Sequence, residues 1–594
     1  MASTVSHTAN EATAALKPLK VPYELRLGVV GHRELPDPGG VAAAVQTLIG
    51  HIDATLNRHD PTPLSWTIVS ALAKGADQVV ARTILERAAA RLEVVTPFPL
   101  ADYRKDFVGS DDRNEFEALL RRALPEHITE LDGDYGTAAL DDDPEGKRRV
   151  HDKRDDAYFE AGRRVVNSCE IVIAIWNGRA AAGVGGTAEA VAYALRAQRV
   201  VLWIDADNPL TAARQLIALG HGTGEGSHGS EYKCLPLPAT PKSLSIGYHQ
   251  LTAYLTDRAI DPDALERAVH EELGKLQALA SEIGLPFANV RPVIAHLLPH
   301  HLRADQLAAH YQQLHVRTTK ALHCLAAAAV TVVAAQVLFF EDLLKLIAFE
   351  IIALCAAVAW FFICRRQAWH EKWLHDRLLS ERLRAAMFTL LLGPADLGTT
   401  NAQNVLPFYA GPQNWLAATV QQLVNAARQV AGPVSALGPL KLFLLEGWLR
   451  PQARWHERTA REKRAAVHLA HSVELCAFVG TVALAILHFY GVGHTGGRDQ
   501  HPILVLGKWI TFLAIVLPAW GAALHAIMTQ LEYERISIRS ERMAKALAIV
   551  AERCERAATL EALRQAVRDG ERVVGIENYE WWVLLSFRPP VLPV

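Results

Sequence analysis

The stretch of sequence that decides the fold is 171–191, IVIAIWNGRAAAGVGGTAEAV. It opens with an apolar run over 171–176, which has the type and length of a strand buried on both faces. A glycine-bearing loop at 183–187 follows, and apolar residues then recur at helical spacing: Ala188, Val191, Ala192 and Leu195. A strand, a glycine turn and a helix start place unpaired backbone N–H groups and the positive end of a helix dipole at one point. That point is suited to bind phosphate.

Length and composition limit the number of domains and the class of protein. A chain of 594 residues exceeds one domain, and about two to four are expected. The net charge of −2 argues against a nucleic-acid binder with a dominating basic surface, and the apolar content of 50% fits a chain that is partly embedded in a membrane. The seven cysteines show no metal-ligand spacing and favour reduced, buried thiols. Residues 1–20 lack a signal-peptide core and are predicted to be a disordered tail.

Alternating strand and helix patterns predict an α/β domain over 21–210. Strands are predicted at 25–30, 66–69, 92–96, 127–131, 171–176 and 200–204, with helical patterns between them. Strands separated by helices need crossover connections, so we expect a doubly wound, mostly parallel, Rossmann-like sheet.

Polar motifs follow four of these strands, and the carboxyl edge of an open α/β sheet is where ligands bind. We therefore predict one ligand site. Its positive charges suit an anionic group, and its acidic residues Asp77 and Glu189 suit ribose hydroxyls. The predicted residues are Gly31, His32, Arg33, Lys74, Gly75, Asp77, Arg104, Gly185, Gly186, Thr187 and Glu189. The alternative is that the glycines serve tight turns and that Arg33 and Asp77 form a surface ion pair worth about 0–1 kcal/mol.

The ordered runs GVVGHREL, SALAKGADQVVA, TPFPLADYRKDF and IAIWNGRAAAGVGGTAEAVAYA resemble the SLOG superfamily, Rossmann-like relatives of the lysine-decarboxylase-like and DprA-like proteins. The resemblance implies binding of a nucleotide or nucleotide-derived signal, with Gly31, Arg33, Gly75, Asp77, Gly185, Gly186, Thr187 and Glu189 at the matching positions. Some relatives split nucleoside monophosphates with a Glu in a GGxGTxxE-like motif. The alternative function is therefore a membrane-tethered nucleotide N-glycosidase or phosphoribohydrolase with Glu189 as the catalytic residue, although the loop GVGGTAEA departs from that motif.

A connecting region is predicted over 211–300. Loops are expected at 221–230 and 235–241, and a helix near 263–283 whose face carries Leu265, Val269, Leu273 and Leu276. Histidines gather at His296, His300, His301, His310 and His315. We expect Pro299 to interrupt helical spacing here, so solvated or interfacial histidines are favoured over a zinc site.

Four apolar stretches, 321–340, 343–364, 474–490 and 503–528, approach or exceed the length of about 20 residues that crosses a bilayer. They predict an all-α membrane domain with four transmembrane helices in two hairpins. After the hairpins, Trp373 corresponds to Tyr533, and the Ser-Glu-Arg run at 380–382 corresponds to the one at 540–542. Both correspondences have the same offset in the sequence. This pairing indicates two repeated units, 301–393 and 451–594, joined by a cytoplasmic connector at 394–450, with chance similarity as the alternative.

Basic residues flank the outer ends of both hairpins, so the positive-inside rule places the N-terminal domain and the C-terminus in the cytoplasm. Glu350 lies inside the second span, where a charge costs about 2.5–3.5 kcal/mol. We predict that it lines a pore, and the alternative is a structural hydrogen bond. A single four-helix bundle has a packed centre, so conduction requires a homo-oligomer.

The run RADQLAAHYQQLHVRTTK, the SERLRAA and SERMAKAL stretches and the terminal ENYEWW are similar to the SLATT group, two-transmembrane effector modules of bacterial conflict systems. The similarity implies an inner-membrane effector of antiviral defence that forms a pore or disrupts the bilayer. Its trigger would be a nucleotide second messenger from a nucleotide-synthesising partner enzyme. No cofactor, metal or nucleic acid is expected, and a ligand-regulated transporter or scaffold is a third option.

Overall fold

The computed structural model describes residues 20–56, 62–87, 89–133, 144–179, 186–218, 233–237, 239–340, 345–393, 415–490, 492 and 502–586. The chain divides into two compact units, Met1–Asp257 with Thr400–Leu423, and Arg258–Thr399 with Val424–Val594. The predicted fold class is confirmed, because an α/β sheet is followed by an all-helical region. The domain boundaries assigned from the sequence stay predictions.

The described part of the first unit contains an eight-stranded sheet. Its strands are β1 (Tyr23–Gly31), β2 (Leu64–Ser70), β3 (Ala90–Thr96), β4 (Ile128–Glu130), β5 (Ile171–Trp176), β6 (Val200–Asp205), β7 (Arg214–Ala218) and β8 (Lys233–Pro236). They lie in the order β4-β3-β2-β1-β5-β6-β7-β8, and β1 to β6 run parallel. The strand order reverses between β1 and β5, which makes this the switch point of the sheet. Every residue of β5 is buried, as its unbroken apolar run predicts.

The last two strands were not predicted. Strand β7 pairs antiparallel with β6, and β8 pairs antiparallel with β7. The expected loop at 235–241 is wrong at its start, because Leu235 and Pro236 belong to β8. Only Leu216 of β7 is buried, so this strand, which lies between β6 and the edge strand β8, carries no apolar run that identifies it. The predicted loop at 221–230 lies outside the described residues.

Helices of the first unit connect and cover the strands. They are α1 (Pro38–Leu56), α2 (Ala76–Arg87), α3 (Leu100–Tyr103), α4 (Ser110–Leu120), α5 (Pro144–Asn167), α6 (Thr187–Arg196), α7 (Pro241–Leu244) and α8 (Ile246–Leu255). Helix α1 buries Val41, Val45, Ile49 and Ile52, whose spacing predicted it.

The remaining described helices are α9 (Pro262–Glu282), α10 (Phe287–Phe339), α11 (Lys345–Gln367), α12 (Trp369–Thr389), α13 (Trp415–Gln429), α14 (Leu437–Leu444), α15 (Arg450–Phe489), α16 (Pro502–Gln530), α17 (Tyr533–Arg556) and α18 (Leu560–Ser586). Helix α9 confirms the helix predicted near 263–283 and buries Leu265, Val269 and Leu276. A π-helical turn, Leu445–Leu449, connects α14 to α15.

Four described helical segments are long and apolar enough to cross a membrane: Phe287–Phe339, Ile351–Leu392, Leu437–Phe489 and Leu506–Arg556. Large apolar side chains are exposed on them, such as Ile352 (67%) and Phe478 (68%), which suits contact with lipid. The prediction of four membrane-capable helices is therefore confirmed, whereas the compartment and orientation stay predictions. The cysteines are free thiols, but Cys355 and Cys476 are exposed, so the expectation of buried thiols is wrong for these two.

Each hairpin is followed by a backbone break of the same form. Ala368 has φ 51° and ψ 36°, and Glu532 has φ 51° and ψ 35°, so both adopt the left-handed conformation between two helices. Helix α12 then packs against α10, and α17 packs against α15. In the sequence, Ala368 and Glu532 are four residues further apart than Trp373 and Tyr533 are. The repeats therefore align with a shift of about one helical turn from the sequence pairing.

The expectations for the histidines after residue 295 are wrong in two respects. Helix α10 continues through Pro299, which therefore does not interrupt it. A proline removes one hydrogen bond from a helix, and packing against neighbouring helices offsets that loss. His300, His301 and His315 are buried instead of solvated. Among the described residues, no group of three or more His, Cys, Asp or Glu side chains is arranged to hold a metal ion.

Candidate functional site

A cavity of about 480 Å³ lies at the carboxyl ends of β1 and β5. Its walls come from the residues after β1, the loop between β2 and α2, the inner face of α5, the residues after β5 and the first turn of α6. This is the switch point of the sheet, where an open α/β fold leaves a crevice between the two directions of winding. The topology therefore creates the cavity, and the local sequence decides its chemistry.

His32 connects the walls of this cavity. Its backbone N–H donates to the Ile175 carbonyl at 3.1 Å, which continues the pairing of β1 with β5. The Asn177 backbone N–H donates to Nε2 of the ring at 3.2 Å, so the neutral ring carries its proton on Nδ1. Nδ1 lies 3.5 Å from Oγ1 of Thr187. The hydrogen-bond pattern therefore orients an N–H donor toward the start of α6.

Arg33 supplies the positive charge of the cavity. Its guanidinium group lies over the ring of Tyr158, with 4.3 Å from Cζ to the ring centroid. Such a cation–π contact holds the guanidinium plane without using its N–H donors. The Tyr158 hydroxyl is buried and has no hydrogen-bond partner among the described residues. Buried hydroxyl groups are normally paired, so this group is available to a ligand or to water.

Asp77 lies at the floor of the cavity and is only 7% exposed. Its Oδ2 accepts a hydrogen bond from Ser70 at 3.0 Å, and it also accepts from the backbone N–H groups of Ala71 and Ala73. Burial raises the pKa of this carboxyl group to about 6, and the hydrogen bonds oppose that rise. Asp77 therefore organises the loop after β2 rather than standing free for ribose hydroxyls.

Two of the predicted glycines are required by close packing. A Cβ atom at Gly31 would lie 2.4 Å from the Ala76 Cβ. Gly75 has φ 89°, and a Cβ there would lie 2.3 Å from the Arg33 carbonyl oxygen. The loops after β1 and β2 approach each other at these positions, and the Ala76 N–H donates to the His32 carbonyl at 3.0 Å. Glycine is needed here to shape the cavity wall.

The first turn of α6 contributes an N-terminus that no side chain of the described residues caps. Gly186 is the N-cap residue, and Thr187 and Ala188 line the cavity beside it. The first N–H groups of a helix have no partner within it and are joined by the positive end of the helix dipole. Together with His32 and Arg33, this helix end gives one side of the cavity a preference for an anion.

A second wall of the cavity is largely apolar and comes from α5, with Arg33 lying against it at Tyr158. Tyr158, Phe159, Ala161 and Val165 line the cavity there, and Gly162 lies among them. A Cβ atom added at Gly162 would meet no heavy atom within 4 Å, so this part of the wall is open. A flat aromatic group has room to pack against it.

An exposed ion pair lies at the rim. Arg179 Nη2 and Asp207 Oδ2 are 3.3 Å apart, with side-chain exposures of 78% and 48%. A pair this exposed contributes about 0–1 kcal/mol, so little holds Arg179 in place.

The structure brings together six of the predicted site residues. Gly31, His32, Arg33, Asp77, Gly186 and Thr187 line the cavity, and Gly75 supports it from behind. Gly185 lies outside the described residues.

Three other predicted residues do not line the cavity. The Lys74 ammonium pairs with Asp112 at 2.9 Å, and Arg104 pairs with Glu117 at 2.7 Å, so both cations are directed to α4. Glu189 belongs to the first turn of α6, but it is absent from the cavity wall.

The sequence analysis missed the contributions of α5 and of the residues directly after β5. Asn177 and Arg179 were identifiable, because they follow a strand in the same way as His32 and Arg33 do. The spacing of Tyr158, Ala161 and Val165 has the period of a helix face, although no pattern connected that face to a ligand site. Comparison of the chain with protein-family models and with curated proteins gives no match.

Proposed function

We propose that this protein is a membrane effector whose α/β unit binds a nucleotide or nucleotide-derived anion at the β1–β5 cavity. The observation that carries the proposal is the division of one cavity into an anion-binding side and an aromatic side. Arg33, the His32 ring N–H and the start of α6 suit a phosphate group. The α5 wall at Phe159, Gly162 and Val165, beside the Tyr158 ring that Arg33 covers, suits a base. The volume lies within the range of small-molecule sites, about 300–1,000 Å³.

The membrane part of the proposal is supported by the four long apolar helices and by their exposed apolar side chains. The similarity to SLATT modules extends it to a bacterial inner-membrane effector of antiviral defence, with the α/β unit and the C-terminus in the cytoplasm. A partner enzyme would make the nucleotide signal. Binding would favour an assembled, pore-forming or membrane-disrupting state, because a ligand shifts an equilibrium by its difference in affinity for the two states.

Binding is favoured over hydrolysis. The hydrolase alternative requires Glu189 beside the substrate, and Glu189 is absent from the wall of the cavity. Glu350, the residue proposed to line a pore, belongs to α11, and its side chain lies outside the described residues.

The site is tested by closing the open part of its aromatic wall. Gly162→Leu places a side chain in the cavity and favours helix α5, so the protein should fold while its ligand affinity falls at least about tenfold. Gly162→Ala is the matched control, because it favours the helix and fills little space. The measurements are mass spectrometry of small molecules retained by the full-length protein and titration with the recovered compound.

Gly274→Leu in α9 is a second control, since that glycine also has open space around it. If a bound nucleotide is retained equally by Gly162→Leu and by Gly162→Ala, it does not occupy this cavity. If no nucleotide-type compound is retained and none binds on titration, the proposed function is wrong.

A further inference from the structure

A second cavity, of about 490 Å³, adjoins the first. His32, Arg33 and Asn177 line both cavities. The second cavity is completed by the turn at 34–36 after β1, and by Ala206 and Asp207 after β6. Because the same three residues bound both spaces, the crevice at the switch point continues from the ends of β1 and β5 to the end of β6.

The two cavities differ in charge. The shared wall carries the Arg33 guanidinium and the His32 ring, which are donors to an anion. The second cavity adds two carboxylates, Glu34 and Asp207. Carboxylates repel phosphate but accept hydrogen bonds from sugar hydroxyls, as they do in dinucleotide sites. The order along the crevice is therefore an aromatic wall, a cationic junction and an acidic end.

The ion pair of Arg179 with Asp207 connects the two cavities. Arg179 lines the first and Asp207 lines the second, and their side chains are 3.3 Å apart. A solvent-exposed pair of this kind opens easily. A phosphate group at the junction offers Arg179 a stronger, bidentate partner and leaves Asp207 for a hydroxyl group.

We propose that the natural ligand is a two-ended nucleotide. Its first nucleoside occupies the β1–β5 cavity, its phosphate lies at the junction formed by His32, Arg33 and Asn177, and a second sugar-bearing group occupies the cavity at Glu34 and Asp207. This inference rests on the proposed function and narrows its ligand from nucleotides in general to those whose phosphate carries a second sugar.

The test compares one-ended with two-ended ligands on the full-length protein in lipid nanodiscs. Each of the four common nucleoside monophosphates is titrated beside its symmetrical dinucleoside diphosphate. For the base that binds, we expect the dinucleoside diphosphate to bind at least about tenfold more tightly than the monophosphate. This exceeds the twofold statistical advantage of a ligand with two equivalent ends.

Leu35→Trp fills the second cavity and should remove that gain while leaving the affinity for the monophosphate unchanged. The unchanged monophosphate affinity also shows that the variant is folded. Pro36→Trp, an uncharged change at an exposed position of the same wall, serves the same purpose if Leu35→Trp does not fold. Leu124→Trp is the matched control, because Leu124 is exposed and lines neither cavity.

Equal affinities for one-ended and two-ended ligands would overturn this inference and leave the proposed function standing. A tenfold gain in affinity that persists in the tryptophan variants of the second cavity would also overturn it, since the second group of the ligand would then bind elsewhere. Absence of binding for all eight compounds would overturn the inference, and the proposed function would then be decided by whether the purified protein retains any nucleotide-type compound.

Discussion

The buried carboxyl group of Asp77 makes the stability of the α/β unit depend on pH. Burial raises its pKa to about 6 in the folded protein, from 3.8 as the ordinary value. The folded state therefore binds this proton more tightly than the unfolded state does. The resulting stabilisation is fully present below the ordinary pKa and is lost as the pH rises through 6.

Asp77→Asn is neutral at every pH and should lack this dependence. We expect the difference in free energy of unfolding between wild type and Asp77→Asn to change by roughly 2.5 kcal/mol between about pH 4 and pH 8, with the wild type gaining at the acid end. Urea denaturation followed by tryptophan fluorescence measures it. Burial also raises the pKa of Glu170, to about 7, but Glu170 is present in both proteins and cancels in the difference. A pH-independent difference would contradict the assignment.

Gly75 should not tolerate any side chain. Its φ of 89° is unfavourable for other residues, and a Cβ atom would meet the Arg33 carbonyl at 2.3 Å. We expect Gly75→Ala to lower the free energy of unfolding by about 2–3 kcal/mol, because it combines a strained backbone with a clash. Gly39→Ala in α1 is the control, since the nearest atom to its Cβ is 3.6 Å away and alanine favours a helix. Equal stability of the two variants would show that the loop relaxes without cost.

Single residues of the site were predictable where the side chain is short or where a contact inside the cavity holds it, as Tyr158 holds Arg33. His32, Arg33 and Thr187 follow strands or start a helix, and the carboxyl-edge rule places them correctly. Lys74 and Arg104 obey the same rule, but their long side chains reach carboxylates on α4 instead. The position of a residue after a strand determines where its Cα atom lies. The direction of a long cationic side chain depends instead on which acidic side chains lie near it.

Among the elements, α10, α12 and α15 are joined by a network of charged and polar groups around Glu381. Glu381 is 6% exposed and lies 2.5 Å from Arg377 and 3.3 Å from Arg384. Gln452 of α15 donates to its Oε2 at 3.0 Å, so the network connects the first repeated unit with the leading helix of the second. Asp305 of α10 adds a second carboxylate, 3.4 Å from Arg377.

Glu381→Ala should destabilise the helical unit by about 3–5 kcal/mol, because it leaves two guanidinium groups near a buried position without their main partner. Glu552→Ala on α17 is the matched control. Its pair with Arg556 is exposed, so the loss should be at most about 1 kcal/mol. Urea denaturation in detergent, followed by circular dichroism, compares the two. A small effect of Glu381→Ala would mean that Asp305 compensates for the missing charge.

Strands and helices were predictable where their burial produces a pattern of apolar residues in the sequence. The parallel strands β2, β3, β5 and β6 contain buried apolar runs, because a covered sheet buries both faces of its strands. Strands β7 and β8 are the last two strands on one side of the sheet and carry mixed residues, so only their pairing identifies them. The continuity of α10 through Pro299 depends on packing, which a local rule about proline does not include.

At the scale of the whole molecule, ligand binding is expected to control membrane permeability. With the compound retained by the purified protein as ligand, liposomes that contain the full-length protein should release a trapped dye only when ligand is present. Glu350→Ala should bind ligand normally but release little dye, because an intramembrane carboxylate lines the proposed path. Lack of ligand-dependent release by inserted, ligand-bound protein would rule out the effector function. Equal release by Glu350→Ala would remove only the pore-lining role.

The continuity of α10 has a mechanical consequence. From residue 300 to Phe339 the helix contains neither proline nor glycine, which are the usual causes of a kink. This 40-residue stretch spans about 60 Å, twice the hydrocarbon thickness of about 30 Å. Tilting this straight stretch by roughly 10° at one end moves its other end by about 10 Å. A small reorientation of the membrane-capable segment is therefore accompanied by a much larger displacement at the other end of the helix.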